Sequence, residues 1–256
     1  MQHIIELRFY GALNDFLPAE KRQRNYPYRL DRETSVKDLI ESQGVPHTEI
    51  ELILVNGAAV GFDHRAADAM RIAVYPVFES IDISPVLRLR EPPLREARFV
   101  LDCHLGRLAR YLRQFGFDTL YENTYDDAEL ADISAQQQRI LLTRDRALLK
   151  RKIISHGYFV RSTRPLTQFH EVMRRFKMYD LIVPFGRCTR CNGHVVAISK
   201  ADIINQLEPG TIRHYEDFWR CSSCGQVYWE GSHYQRMQQT TDSVIATASG
   251  HNAASD

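Results

Sequence analysis

The 256-residue chain is 44% hydrophobic and 25% charged, with a formal net charge of +1. These values exclude a disordered, core-less chain and a globally polybasic nucleic-acid binder, and leave room for one or two domains plus appendages. No run approaches the roughly 18 apolar residues of a membrane helix, and MQHIIELRFYGALNDF lacks the basic-then-apolar pattern of a secretory leader, so a cytoplasmic protein without membrane association is expected.

In chain order, HIIELRFY (3–10) reads as a strand, and Ser35-Val-Lys-Asp38 opens a short helix that stops at Gly44. ELILVNGAAV (51–60) places an Asn-Gly turn between two apolar runs, and RIAVYPVF (71–78) is a further strand. The order LRFYGALNDF, SVKDLIESQGVP, LVNGAAV, RIAVYPVFE resembles the ubiquitin-like β-grasp fold of small sulfur carriers. Such carriers are activated at a free C-terminal Gly-Gly, whereas PVFESIDISP here runs on into more chain. A sulfur-transfer accessory is therefore disfavoured, and residues 1–83 are expected to form a docking or stabilising module that takes a protein partner.

Residues 84–97 mix charges with prolines, which fix the backbone and withhold ladder donors, and are expected to be a linker. Beyond it, RFVLD (98–102) reads as a strand. Leu105, Leu108, Ala109 and Leu112 then follow helical spacing, FDTLYE is a second strand, about 126–137 a helix, and RILLT (139–143) a third strand. Strands alternating with helices predict an α/β parallel sheet, whose ligands bind beyond the carboxyl ends of the strands. Asp102 ends the first strand, Asp127 lies in the first turn of a helix, and Asp145 follows the third strand, so all three carboxylates are expected at one edge. Phosphodiester hydrolysis uses such a cluster, because hard carboxylate oxygens hold Mg²⁺ or Mn²⁺. An Asp between strand and helix also serves as an N-cap worth about 1 kcal/mol, so residue type alone leaves both roles open.

Residues 91–180 carry 16 Lys and Arg against 12 Asp and Glu, a local excess that suits a polyanion. Arg107, Arg110 and Arg113 recur every three residues, and Arg144 and Arg146 flank Asp145. Guanidinium groups bind phosphate bidentately; Arg107 and Arg144 are the preferred pair, with exposed faces making local ion pairs as the alternative. His104 stands two residues past Asp102, and Cys103 reads as a small buried hydrophobe.

The run RFVLDCHLGRLARYLRQFGFDTLYEN, then DDAELADIS and RILLTRDRALL, resembles the Mut-7 C-terminal ribonuclease family of PIN-like nucleases over about residues 98–237. The resemblance implies metal-dependent RNA cleavage, with the acidic roles falling on Asp102, Asp127 of DAEL and Asp145 of the T-x-D motif. A fourth acid is usual in the wider group. Here Ala147 stands where many relatives carry one, leaving Asp126 or Glu129 to complete the set and the metal count open. That gap keeps a non-catalytic RNA-binding adaptor as the rival function.

Cys188-Thr-Arg-Cys191 and Cys221-Ser-Ser-Cys224 form two CxxC knuckles. Four thiolates leave no place for water, the signature of a closed structural Zn²⁺ site, one per chain; a redox CxxC would want a thioredoxin-like setting. Trp219, Tyr228, Trp229, His233, Tyr234 and Arg236 interleave aromatics and cations, a mixture that stacks bases or simply packs a small core. The expected divisions are a nuclease core at 98–180, a zinc ribbon at 181–237, and a disordered tail at 238–256, where the residues are small and polar.

Overall fold

A computed structural model describes residues 3–76 and 97–252, with the side chains of His3, Ser232, His233, Arg236 and residues 247–252 outside the description. The expected linker, 84–97, lies outside the described residues except for Ala97. In chain order the first elements are β1 (His3–Phe9), β2 (Tyr26–Leu30), β3 (Thr34–Ser35), α1 (Val36–Ser42), β4 (Ile50–Val55), β5 (Ala58–Ala59), β6 (Arg65–Ala66) and β7 (Arg71–Pro76). They are followed by β8 (Arg98–Leu101), α2 (Gly106–Gln114), β9 (Asp118–Leu120), α3 (Asp127–Gln136), β10 (Ile140–Thr143), β11 (Gly157–Phe159) and α4 (Pro165–Phe176). The last are β12 (Val195–Ile198), α5 (Lys200–Ile203), α6 (Pro209–His214), β13 (Phe218–Cys221), β14 (Val227–Trp229) and α7 (Ser232–Asn252).

The described chain forms two compact units, residues 3–76 with Tyr125–Val160 and Ala97–Thr124 with residues 161–252. Residues 98–180 contribute to both units.

In the first unit a mixed sheet has the order β2-β1-β7-β4-β5. β1 runs parallel to β7 and antiparallel to β2, the arrangement expected of a β-grasp. Alternation puts Ile5, Leu7 and Phe9 of β1 inside with Ile72 and Val74 of β7, and Leu39 and Ile40 of α1 close the same core. Ser35 caps α1, its hydroxyl accepting the Asp38 N–H at 3.0 Å. Asn56 and Gly57 take positive φ, 51° and 87°, as a tight hairpin turn requires. The second piece of the unit adds α3, β10 and β11, with β10 parallel to β11. All four residues of β10 are buried, as befits a strand covered on both faces.

In the second unit β8 runs parallel to β9. Leu105, Leu108, Ala109 and Leu112 are all buried, as their spacing predicted. Phe115, just past α2, stacks on Phe169 of α4 at 4.4 Å between ring centroids. β12, β13 and β14 form an antiparallel sheet.

One expectation is corrected. The tail from Gln238, expected to be disordered, continues α7 as far as Asn252. Thr241 and Val244 are buried, and the Gln114 amide donates to the Met237 carbonyl and the Thr241 hydroxyl oxygen. Tertiary contacts supply what a composition of small polar residues does not advertise.

Candidate active site and cysteine cluster

The three acids sit in different local settings. Asp102 follows β8 and is only 7% exposed. It precedes a short 3-10 turn, Cys103–Leu105, yet its carboxylate makes no capping bond; the turn closes through Leu105 N–H to the Asp102 carbonyl. The oxygen, sulfur and nitrogen ligand atoms of Asp102, Cys103 and His104 lie within 4.8 Å of one another. A hydrogen bond with Asp102 raises the Cys103 thiol, burial adding to it, so this sulfur stays protonated beside the carboxylate. Tyr121, which no motif marks, donates its hydroxyl to the Cys103 carbonyl at 2.8 Å, and the same oxygen lies against the Asn123 side chain.

Asp127 is the first residue of α3 and is exposed, but it is not the cap. That role belongs to Asp126, whose carboxylate accepts the Ala128 and Glu129 N–H groups at 2.8 Å, while Glu129 accepts the Asp126 N–H at 3.0 Å. The two residues offered as a fourth acid are thus occupied as a capping box. Asp145 lies just beyond β10 in a turn: its N–H donates to the Thr143 hydroxyl oxygen at 2.8 Å, and its Oδ1 accepts the Ala147 N–H at 2.7 Å. The T-x-D spacing is therefore a local bonding pattern that fixes where the carboxylate begins.

The arginines divide sharply. Arg107 and Arg110 are exposed on α2. Arg113, grouped with them by spacing, is 5% exposed and donates to the carbonyls of Thr119, Thr189 and Arg190, so it holds the first cysteine knuckle rather than facing solvent. Arg144 is half-buried and donates to the Val160 carbonyl at 2.9 Å.

The four cysteines come together as the spacing predicted: Cys188, Cys191, Cys221 and Cys224 place all their sulfurs within 4.8 Å of one another. Cys188 and Cys224 are 3.7 Å apart and Cys191 and Cys221 3.4 Å, near the roughly 3.8 Å edge of a tetrahedron built on 2.3 Å zinc–sulfur bonds. Burial opposes a Cys221 thiolate, but N–H donation from Cys224 and Ser223, with the neighbouring sulfurs, outweighs it and brings this thiol down to about 7. Cys191 is pushed up to about 12, burial contributing most and the other three sulfurs adding to it. Four thiolates cannot all be charged side by side without a cation among them, and this donor set is one that can hold a metal ion.

Around the knuckles, Asn192 takes a positive φ of 71°, accepts the Thr119 N–H and donates to Asp118, tying the first knuckle to β9. The aromatic set is half-buried and largely committed to packing. Trp219 and Tyr228 face each other across β13 and β14, the Tyr228 hydroxyl lies 3.0 Å from the Cys188 sulfur, and Tyr234 packs on Phe185. The side chains of His233 and Arg236 lie outside the described residues. Among the described residues no helix is long and apolar enough to cross a membrane.

Parallel strand pairs that lead into helices, with a four-thiol site able to hold a metal ion, make this an α/β protein joined to a ubiquitin-like module. The chain belongs to the Mut7-C family: the model of the Mut7-C RNAse domain matches residues 97–241, more than half the chain, and that of the Mut7-C ubiquitin domain matches residues 2–82. The matched model is that of a ribonuclease domain, which supports a nuclease kind of reaction with RNA as the substrate class. No curated protein and no solved structure matches the chain.

Proposed function

We propose that the protein is a metal-dependent ribonuclease of the PIN-like class, in which Asp102, Asp127 and Asp145 hold Mg²⁺ or Mn²⁺ and a zinc ribbon is built on Cys188, Cys191, Cys221 and Cys224. The observation that carries the reading is local: the capping role that would make Asp102 and Asp127 bland is absent at the first and taken by Asp126 at the second. Carboxylate oxygens from three such residues are the hard donors these cations select. Held by these carboxylates, a divalent ion would supply a lowered pKa for bound water and charge neutralisation at the phosphodiester. Asp145 is aimed through Oδ1 by the Ala147 N–H, which leaves Oδ2 to ligate. Arg107, exposed on α2, and Arg144 beside Asp145 hold phosphate oxygens. The protonated Cys103 thiol steadies the Asp102 carboxylate. One zinc per chain is structural, since four thiolates close its coordination shell.

A second reading is favoured by one observation: Asp126 and Glu129 are engaged with the α3 terminus and position 147 is Ala, so the acid set stops at three. That suits an RNA-binding adaptor without hydrolysis. The two are separated by incubating the full chain and its Asp102→Asn, Asp127→Asn and Asp145→Asn variants with labelled RNAs in Mg²⁺, Mn²⁺ or EDTA, with thermal melting alongside. The enzyme predicts metal-dependent cleavage that collapses by at least about a hundredfold in each variant while folding survives. Binding without cleavage by the wild type establishes the adaptor, and undiminished cleavage in all three variants refutes the proposed ligands.

A further inference from the structure

The side chains on either side of Asp145 are both anchored, and in opposite directions along the chain. Arg144 donates to the carbonyl of Val160, the residue after β11. Arg146 reaches back about 130 residues: its guanidinium lies over the rings of Phe16 at 5.1 Å and Phe159 at 5.5 Å, and donates to the carbonyls of Phe16 and Asp15. The two rings meet edge to face at 5.4 Å. Further ties run alongside. Buried Glu49 accepts the Phe159 N–H at 2.7 Å, the His47 ring nitrogen Nε2 lies 3.0 Å from the Ile154 carbonyl, and Lys150 donates to the Glu41 carbonyl at 2.6 Å. A planar cation that stacks on aromatics and spends its donors on main-chain carbonyls is a geometric clamp, one that a compact ammonium would not reproduce.

We infer that Arg146 is a positioning residue for Asp145, and that the ubiquitin-like module, through Asp15 and Phe16, is a working part of the nuclease site rather than only a docking appendage. The inference rests on the reading of Asp145 as a metal ligand. With residues 144 and 146 both pinned, the Asp145 backbone has little freedom to rotate, and its Oδ1 to Ala147 bond sets the remaining torsion. Releasing Arg146 frees one end of that turn. The metal then has to recruit Asp145 at the cost of ordering it, so metal affinity falls while the fold, whose core does not include this exposed side chain, survives.

The test uses the full chain. Amide hydrogen exchange without metal is compared between wild type and Arg146→Met: exchange at the Asp145 and Ala147 amides is expected to speed up at least about tenfold, the worth of a cation–π contact plus a hydrogen bond. Equal rates overturn the clamp whether or not the protein cuts RNA. Cleavage is then titrated with Mn²⁺. Arg146→Met is expected to raise the half-saturating Mn²⁺ concentration several-fold and to recover rate at high Mn²⁺, whereas Asp145→Asn does not recover. Arg146→Lys is expected to resemble the Met variant. A Lys variant equal to wild type, or a Met variant that raises only the KM for RNA, shows that Arg146 acts through its charge on phosphate and refutes the positioning role. Absence of cleavage in wild type defeats the ribonuclease reading itself, and with it the role assigned to Arg146, while the exchange data still report whether the clamp exists.

Discussion

Replacing Arg113 by Met tests whether the second unit is held together by a buried guanidinium. The substitution keeps most of the apolar stem and removes donors to three carbonyls, those of Thr119 at 2.9 Å, Thr189 at 3.3 Å and Arg190 at 2.8 Å. Thr119 is fully buried, so its carbonyl is stranded, at about 2 kcal/mol. Thr189 and Arg190 reach solvent and their carbonyls rehydrate, so the loss there is about 0.5–1 kcal/mol each. The sum is a destabilisation of about 3–4 kcal/mol. It is read from the urea midpoint at unchanged slope. Because Thr189 and Arg190 lie inside the first CxxC knuckle, zinc release to a chromophoric chelator is expected to quicken in the same variant. A loss under about 1 kcal/mol, with unchanged release, would mean that Arg113 behaves as the exposed cation its three-residue spacing suggests.

Other expectations follow from the same geometry. The purified protein should carry one zinc per chain by elemental analysis, and Cys221→Ser should lower the thermal midpoint more than Asp145→Asn, since it breaks a closed four-thiolate shell; equal midpoints would argue against a structural site. Asp126→Ala should cost about 1 kcal/mol in stability yet leave RNA cleavage within about twofold, because Asp126 caps α3; a well-folded variant with lost activity would return Asp126 to the metal set. Gly116→Ala should destabilise by about 2 kcal/mol or more, because φ is +91° and a Cβ there would lie 2.3 Å from the Val183 carbonyl oxygen; an unchanged melting curve would show that the backbone shifts freely.

Local pattern determined much of this protein. The alternation in β1, the Ser35 cap, the Asn56-Gly57 turn and the Leu105-Leu108-Ala109-Leu112 face are nearest-neighbour rules, so the sequence carries them directly. The two CxxC knuckles were equally plain, because each pair brings its own turn. What only the tertiary structure decided concerns partners far apart in the chain. Arg107, Arg110 and Arg113 are alike in sequence, yet Arg113 is buried because three carbonyls await it, two of them more than 70 residues on. The segment from Gln238 reads as polar tail, and becomes helix where Thr241 and Val244 find a buried face. The choice of Asp126 over Asp127 as cap turned on a one-residue difference in where α3 begins, which periodicity does not resolve. Arg146 looked like one more cation beside Asp145; its place over Phe16 exists only because the chain folds residues 143–160 back onto its own first module, and burial of apolar surface, which is non-directional, leaves no mark of that pairing in either segment alone.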